Sequence, residues 1–194
     1  MASGRRIVAG GLPGVGKTTV ITMAAERLRK EGHDAVVVTL GSFMFDEAHK
    51  MGLTDRDQMR RLPVFQQKQL QLEAARKISE LQNELVFVDT HFFIRTSEGY
   101  FPGLPLDVLQ LLKPSQVVLV QAPVKEIMGR RMKDASRHRD SEVRAEVEEE
   151  LSLSREFLVV AAATTGATMT IVNNRENRSD EAVEDLLGSL NLRP

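Results

Sequence analysis

The segment from Ile7 to Thr18 constrains the fold of this chain more than any other part of the sequence. The short apolar run Ile7–Ala9 leads into GLPGVGKT at residues 11–18, which matches G-x-x-x-x-G-K-[ST] at every fixed position, and a helical pattern follows at once. In this arrangement glycines let backbone N–H groups converge on phosphate oxygens, and the helix adds the positive end of its dipole. Lys17 would reach the β- and γ-phosphates, and the Thr18 hydroxyl would bind Mg²⁺.

This segment therefore predicts a P-loop that binds a nucleoside triphosphate, because a glycine-rich turn with an incidental lysine would not require strand, spacing and helix together. A GTP-dependent switch protein would also need a guanine-reading Asn-Lys-x-Asp stretch, which the sequence lacks. The predicted ATP-binding residues are Gly11, Leu12, Pro13, Gly14, Val15, Gly16, Lys17, Thr18 and Thr19, with Lys17 as a catalytic residue.

Five short runs rich in Val, Ile or Ala alternate with longer helical patterns. Each run is nearly continuous in apolar residues, as expected for strands that are covered on both faces. Strands that alternate with helices indicate a parallel sheet with right-handed crossovers. We therefore expect an α/β domain with strands at Ile7–Ala9, Ala35–Leu40, Leu85–Val88, Val117–Val120 and Ala167–Val172.

The helical patterns carry recognisable start and stop signals. Glycine after a helix and proline at its first turn are typical of helix ends and beginnings, and Ser before an acidic first turn is typical of an N-cap. A stripe from Val143 to Ala161 at spacings of three, four or seven predicts one long amphipathic helix. The remaining predicted helices are Lys17–Glu31 ending at Gly32, Asp57–Asn83 broken at Pro63, one between Pro105 and Pro114, and one capped by Ser179.

The composition fits one globular domain that spans residues 1–194. Of the 194 residues, 42% are hydrophobic and 27% are charged, and one domain runs to about 100–200 residues. The chain has no Cys, which excludes a disulfide scaffold, a thiol nucleophile and a zinc site built on thiolates. The net charge of −1 makes nucleic acid an improbable partner. No apolar run has the length of a secretion signal or a membrane span, so we expect a cytoplasmic protein with no membrane partner.

A carboxylate that follows a strand is the candidate partner for the metal ion. Asp89 ends the apolar run Leu85–Val88, the pattern that brings an acid beside a P-loop to hold Mg²⁺. A cap on the next turn is the structural alternative for this residue. No strand leads into Asp46, Asp55 or Asp57, so Asp89 and Thr18 are the predicted metal ligands and Mg²⁺ the predicted cofactor.

A basic cluster late in the chain is the third candidate element. Transfer of a phosphoryl group requires positive charge spread over its oxygens, which Arg side chains in a movable segment supply. A solvated charge run or a phosphate-backbone contact is the alternative. Arg130 and Arg131 are neighbours and cannot face the same way on a helix, so one of them is expected at the surface. The cluster consists of Arg130, Arg131, Lys133, Arg137 and Arg139.

Taken together, the ordered motifs closely resemble the archaeal-type adenylate kinases over nearly the whole chain. The Walker segment alone is shared by many unrelated enzymes, but the ordered set is far more specific. The matching pieces are GLPGVGKTT at 11–19, LGSFMF at 40–45, RDQMR at 56–60, VDTH at 88–91, GYFPGLP at 99–105 and RRMKDASRHRD at 130–140.

The resemblance implies a three-layer P-loop fold with a five-stranded parallel sheet, AMP-binding helices within residues 41–83 and a short lid at residues 130–140. It implies reversible phosphoryl transfer from ATP to AMP to give two ADP, and a homotrimer. By the same resemblance, Gly41, Ser42, Arg60 and His91 are expected at the AMP site, with Arg60 on its phosphate. Arg130, Arg137 and Arg139 are expected to close over the transferring group as catalytic residues.

The sequence departs from the adenylate kinase pattern in two places. Bacterial members carry an Arg in a Gly-Phe-Pro-Arg turn after the Asp, where this chain has Thr90, His91 and Phe92. Two interpretations of His91 therefore stay open: it contacts the substrate, or it is a packed histidine that supports the site. The turn Asn173–Arg178 corresponds to the loop near the ATP adenine, but it differs from the usual Asn-Arg-Asp-Gly.

Two other functions compete with phosphoryl transfer to a nucleotide. A kinase that phosphorylates a hydroxyl, such as a shikimate or gluconate kinase, needs a nearby base, and Asp89 is the candidate. An adenylate-kinase-like ATPase with a role in ribosome assembly would need a basic or aromatic surface outside the nucleotide cleft. The aromatic residues available for such a surface are Phe92, Phe93, Tyr100 and Phe101, which are more simply interpreted as core or as lining of the acceptor site.

Overall fold

The seven strands of the described residues form one parallel sheet and one separate hairpin. The strands are β1 (Arg5–Gly10), β2 (Ala35–Thr39), β3 (Leu85–Asp89), β4 (Phe93–Thr96), β5 (Gly99–Pro102), β6 (Gln116–Gln121) and β7 (Thr168–Asn173). Five of them make a parallel sheet in the order β2-β3-β1-β6-β7, and β4 and β5 pair as an antiparallel hairpin. This computed structural model describes residues 4–96, 99–133 and 144–192, and only the backbone of Arg60 and Thr96.

Eight helices surround this sheet in the described residues. They are α1 (Lys17–Lys30), α2 (Leu40–Lys50), α3 (Arg56–Arg60), α4 (Val64–Ser79), α5 (Leu106–Leu112), α6 (Val124–Lys133), α7 (Arg144–Thr165) and α8 (Ser179–Ser189). Helices cover both faces of the sheet, as expected for parallel strands joined by crossover helices. The predicted α/β fold with a five-stranded parallel sheet is confirmed. Among the described residues, no helix combines the length and hydrophobicity that crossing a membrane requires.

Residues of the central strands alternate between two buried clusters. In β1, Ile7 and Ala9 pack with α1 and α8, whereas Val8 packs with α2, α4 and α5 on the other face. β3 and β6 alternate in the same way, and their apolar side chains are fully buried. The nearly continuous apolar runs thus arise because each strand is covered on both sides.

Several predicted boundaries hold, two predictions need correction, and α2, α6 and the β4–β5 hairpin were not predicted. Pro63 does separate two helices, α3 and α4, and α1 does end at a left-handed Gly32. Leu40 is the first residue of α2 rather than the last of a strand. Ser179 is not an N-cap, because α8 starts on it and its hydroxyl donates to Asn174 instead.

The apolar stripe along α7 is buried, but its residues pack into two separate hydrophobic clusters instead of one. Val147 and Leu151 pack with the α1 cluster, whereas Leu158 and Ala161 pack with the α5 cluster on the opposite face. A helix that contacts both hydrophobic layers carries a single apolar stripe. A surface helix that packs on only one layer carries the same stripe. Periodicity alone does not distinguish the two cases.

The register of the sheet brings the functional segments together. Ala9 of β1 lies beside Asp89 of β3, and Asp89 lies beside Thr39 of β2. The P-loop, the segment after Asp89 and the start of α2 therefore leave the sheet at the same carboxyl edge. Ligands of open α/β sheets bind at this edge, where the strand order reverses around the first strand.

Candidate active site

The P-loop turns sharply from β1 into α1. Gly16 precedes the helix with a φ of 79°, a left-handed conformation that glycine adopts without steric cost. α1 has no acidic residue in its first turn, so its unpaired N–H groups and the positive end of its dipole stay available for an anion. The sequence produces this local geometry directly, since two glycines of the loop, Gly14 and the fixed motif glycine Gly16, occupy positive-φ positions.

Lys17, Thr18 and Asp89 form one contiguous polar group at the base of the P-loop. The Thr18 hydroxyl donates to Oδ2 of Asp89 over 2.5 Å, and Nζ of Lys17 forms an ion pair with Oδ1 of the same carboxylate. Asp89 is 4% exposed and Lys17 is 6% exposed. Burial lowers the pKa of Lys17 from 10.5 to about 8, because the charged ammonium loses its hydration. The predicted contact between the P-loop and the strand-end acid is present.

The donor set of this group suits Mg²⁺ that is bound together with phosphates. Mg²⁺ prefers oxygen ligands and is commonly held by one or two protein groups plus substrate phosphates and water. Thr18 and Asp89 supply a hydroxyl and a carboxylate in direct contact. Within the described ranges, no three His, Asp or Glu side chains are arranged to hold a metal on their own. These residues therefore fit a nucleotide-borne Mg²⁺ better than a resident metal.

One large cleft extends from the P-loop across the carboxyl edge of the sheet. Its volume is about 1510 Å³, which exceeds the roughly 300–1000 Å³ of a pocket for one small ligand. Of the predicted ATP-binding residues, Gly11 and Val15 do not line it, and the Val15 side chain is fully buried in the core. The P-loop residues that line it are Leu12, Pro13, Gly14, Gly16, Lys17, Thr18 and Thr19.

The predicted AMP-site residues are distributed unequally around this cleft. Gly41 and His91 line it, whereas Ser42 does not and accepts a hydrogen bond from Nη2 of Arg56 over 2.8 Å. Arg60 lies at the end of α3, and its side chain is outside the described part of the structure. Arg56 lines the cleft with its guanidinium 5.8 Å from the centre of the Phe45 ring. Sequence reasoning missed Arg56, although it begins the RDQMR segment that was singled out.

Both adjacent arginines of α6 reach the P-loop. Nη1 of Arg130 donates to the Val15 carbonyl over 3.2 Å, and Nε of Arg131 donates to the Pro13 carbonyl over 2.8 Å. The side chain of Arg131 is 5% exposed and pairs with Glu150, and that of Arg130 is 28% exposed and pairs with Glu126. The expectation that one of the two lies at the surface is therefore wrong, because the P-loop packs across α6. Arg137 and Arg139 lie outside the described residues.

The turn after β7 holds the P-loop from the other side. Nδ2 of Asn174 donates to the Val15 carbonyl over 2.8 Å, and Asn174 is 3% exposed. Asn177 adopts a φ of 58° at the position where the related pattern Asn-Arg-Asp-Gly has its glycine. Asn tolerates this left-handed conformation better than most residues. The departure from the pattern thus preserves the backbone shape of the turn, which lines the cleft through Asn174, Glu176 and Asn177.

The aromatic side chains that follow β3 pack against other side chains and do not form an exposed surface. Phe92 is 1% exposed, its ring centre lies 4.8 Å from that of Phe157, and Phe93 stacks edge-on against both Phe157 and Tyr100. Phe93 and Tyr100 line the cleft. The neighbouring cation Arg95 is paired with Glu146. The interpretation of this cluster as core and cleft lining is confirmed for Phe92, Phe93 and Tyr100, whereas Phe101 is in neither.

Comparison with known proteins agrees with this site. A model described as an AAA domain matches residues 10–150. An adenylate kinase from Methanocaldococcus jannaschii is 44% identical over 183 residues, covering 93% of this chain and 95% of that protein. Adenylate kinases from Methanopyrus kandleri and Pyrococcus furiosus are 43% and 38% identical, and each alignment covers at least 93% of this chain and 95% of the relative.

Solved structures agree on the fold. A shikimate kinase from Acinetobacter baumannii in complex with shikimate superposes with a TM-score of 0.64 at 19% identity, covering 98% of this chain and 97% of that one. A shikimate kinase from Bacteroides thetaiotaomicron gives a TM-score of 0.62 at 18% identity, with 97% and 99% covered. At this identity the likeness concerns the fold alone. Fold and site together define a P-loop kinase. The sequence relatives named above match over nearly the full length and are all adenylate kinases from archaea. The chain therefore belongs to the archaeal adenylate kinase family.

Proposed function

We propose that this protein catalyses reversible phosphoryl transfer between ATP and AMP to give two ADP. The observation that carries the proposal is one cleft lined both by the P-loop and by Gly41, Arg56 and His91, which lie in the helices after β2 and in the segment after β3. The volume of the cleft accommodates two nucleotides better than one. ATP is assigned to the P-loop, and AMP to the part of the cleft around Gly41, which we call the acceptor half.

The state of Asp89 supports a phosphate acceptor over a hydroxyl acceptor. A hydroxyl must lose a proton in the reaction and benefits from a general base. Asp89 is buried and both of its oxygens are engaged, one by Lys17 and one by Thr18. A phosphate is already an anionic nucleophile at neutral pH, so it needs positioning and charge neutralisation only. The arginine-rich site supplies those two effects.

Each proposed catalytic group acts on charge or position. Lys17 and the N–H groups that open α1 neutralise the β- and γ-phosphates of ATP. Mg²⁺, when bound through Thr18 and Asp89, would neutralise the charge that develops on the phosphate oxygens. Arg130, Arg137 and Arg139 are assigned to the transferring group, and Gly41, Ser42, Arg60 and His91 to AMP. Arg130 would have to exchange its P-loop carbonyl contacts for phosphate oxygens.

An acceptor panel tests the proposal. Purified protein is incubated with Mg·ATP and, separately, AMP, GMP, CMP, UMP, shikimate or no acceptor, and ADP is measured by coupled assay. We expect ADP formation to depend on AMP. Equal hydrolysis without an acceptor would favour the ATPase alternative, and transfer to shikimate would favour the hydroxyl kinase.

Replacement of Arg60 tests the assignment of the AMP phosphate. We expect Arg60→Ala to raise the KM for AMP by about 10- to 100-fold, because a charge-assisted contact to phosphate is lost. The KM for ATP should change less than about twofold. Arg61→Ala, a change in the exposed residue that follows Arg60, is the matched control. A parallel rise of both KM values would place Arg60 elsewhere.

The assembly and location of the protein are proposed from the family resemblance. We expect a homotrimer in the cytoplasm. The exposed side chains of Met169 and Ile171 on the edge strand β7 offer an apolar surface suited to subunit contact. Light scattering coupled to gel filtration measures the mass, and a monomer across the micromolar range would contradict the trimer.

A further inference from the structure

Two buried polar side chains, together with the more exposed Arg130, hold main-chain carbonyls of the P-loop. Asn174 and Arg131 are 3% and 9% exposed. Nδ2 of Asn174 donates to the carbonyl oxygen of Val15, and Nε of Arg131 donates to that of Pro13, each over 2.8 Å. Both side chains thus bind the P-loop through main-chain carbonyl groups. Their own elements, the turn after β7 and helix α6, lie more than 100 residues away along the chain.

Holding these carbonyls determines where two amide groups point. In a planar trans peptide, the C=O and the N–H point in opposite directions. The carbonyl of Pro13 shares its peptide with the N–H of Gly14, and the carbonyl of Val15 shares its peptide with the N–H of Gly16. Both N–H groups therefore point away from Arg131 and Asn174. Among the described residues neither has a backbone acceptor, whereas the intervening Val15 N–H donates to Leu12 over 3.3 Å.

The two glycines are also the places where these side chains come closest. A Cβ on Gly16 would lie 2.3 Å from Nδ2 of Asn174, and one on Gly14 would lie 3.1 Å from Cγ of Arg131. At the first distance, any other residue would force the Asn174 side chain to move. The glycines of the motif thus admit these two side chains in addition to providing the left-handed turn.

The amide of Asn174 is oriented by its own partners. Oδ1 accepts a hydrogen bond from the Ser179 hydroxyl over 3.1 Å, and the backbone N–H donates to Gln121 over 2.8 Å. Because Oδ1 is engaged by a donor, the NH₂ end is the one directed at Val15. The side chain is thereby fixed in both position and polarity.

We propose that Asn174 and Arg131 are positioning residues that aim the Gly14 and Gly16 N–H groups at the triphosphate of ATP. They act through the P-loop backbone and do not themselves contact the nucleotide phosphates. Loss of either bond removes one constraint on its peptide, with the longer Arg130 contact remaining at the Val15 carbonyl, and so weakens the preorganised anion cradle. The inference rests on the proposed function only in taking ATP as the P-loop ligand.

The matched pair Asn174→Asp and Asn191→Asp tests the first contact. Both changes replace an amide nitrogen by oxygen and add one negative charge, but Asn191 is exposed just beyond the end of α8. For Asn174→Asp we expect the Kd of Mg·ATP, measured by calorimetry without AMP, and the KM for ATP to rise at least about tenfold. The KM for AMP should stay within about twofold. Asn191→Asp should match the unaltered protein in all three.

A second variant keeps the inference testable if Asn174→Asp folds poorly. Arg131→Met should show the same selective rise for ATP. Its control is Arg29→Met, since Nη1 of Arg29 also donates to a main-chain carbonyl, that of Ala35, far from the P-loop. Unchanged ATP binding in folded variants, or equal losses for ATP and AMP, would overturn the positioning role. ATP binding without AMP-dependent ADP formation in the unaltered protein would instead overturn the proposed function.

Discussion

Lys17→Ala is expected to lower kcat by about 100- to 1000-fold, the loss typical for a preorganised charge in a water-excluded site. The ammonium lies 6% exposed beside Asp89 at the base of the P-loop, where no other described lysine lines the cleft. The far-UV circular dichroism spectrum should be retained, because the two cores do not depend on this side chain. Removing one partner of a buried ion pair costs about 3–5 kcal/mol, so the Tm should fall. Steady-state kinetics well below that Tm measure the effect.

Lys30→Ala is the matched control for this variant. Lys30 is exposed at the other end of the same helix, α1. Its replacement should leave kcat and both KM values within about twofold, as for most surface substitutions. A Lys17→Ala protein that is folded and turns over at the unaltered rate would contradict the assignment of the P-loop.

Asp89→Asn is expected to have the second largest effect. The substitution keeps the shape of the side chain but removes the charge that faces Lys17 and accepts the bond from Thr18. We expect kcat to fall about 100-fold and the Mg²⁺ concentration for half-maximal activity to rise at least about tenfold. Titration of activity with MgCl₂ at fixed ATP and AMP measures both quantities.

Asp180→Asn separates this effect from a general loss of negative charge. Asp180 is exposed at the start of α8, where it pairs with Arg27. Its replacement should leave the Mg²⁺ dependence unchanged, since exposed ion pairs contribute little. If Asp89→Asn lost activity with an unaltered Mg²⁺ midpoint, Asp89 would be a structural partner of Lys17 and not a metal ligand.

Much of the fold was predictable because its signals are local. The continuous apolar runs of β1, β3 and β6 follow from burial on both faces, and Pro63 and Gly32 mark helix ends by their own backbone preferences. Local signals misled where two structures share one pattern. Leu40 continues an apolar run but starts α2, and its spacing to Met44 and Ala48, all three buried, is the helical signal that was missed.

The residues of the site also fall into two groups, those that local sequence signals identify and those that only the folded structure brings to the site. Lys17 and Thr18 are set by a contiguous motif, and Asp89 by the end of a strand, so each was found without knowledge of the fold. Arg56, Arg131 and Asn174 were not found as cleft or P-loop contacts. All three lie in segments that the sequence analysis singled out, but what each side chain touches is decided by the packing of distant elements.

The sequence by itself determined the phosphate-binding loop, the five sheet strands with helices between them, and the acid that meets the loop, since all three depend on neighbouring residues and fixed spacings. Only the tertiary structure decided what holds the loop. Asn174 meets Val15 across 159 residues, and Arg131 meets Pro13 across 118. Those contacts require β1 to lie between β3 and β6, with β7 beyond β6. Strand order arises from the packing of the whole chain, and therefore no local stretch encodes it.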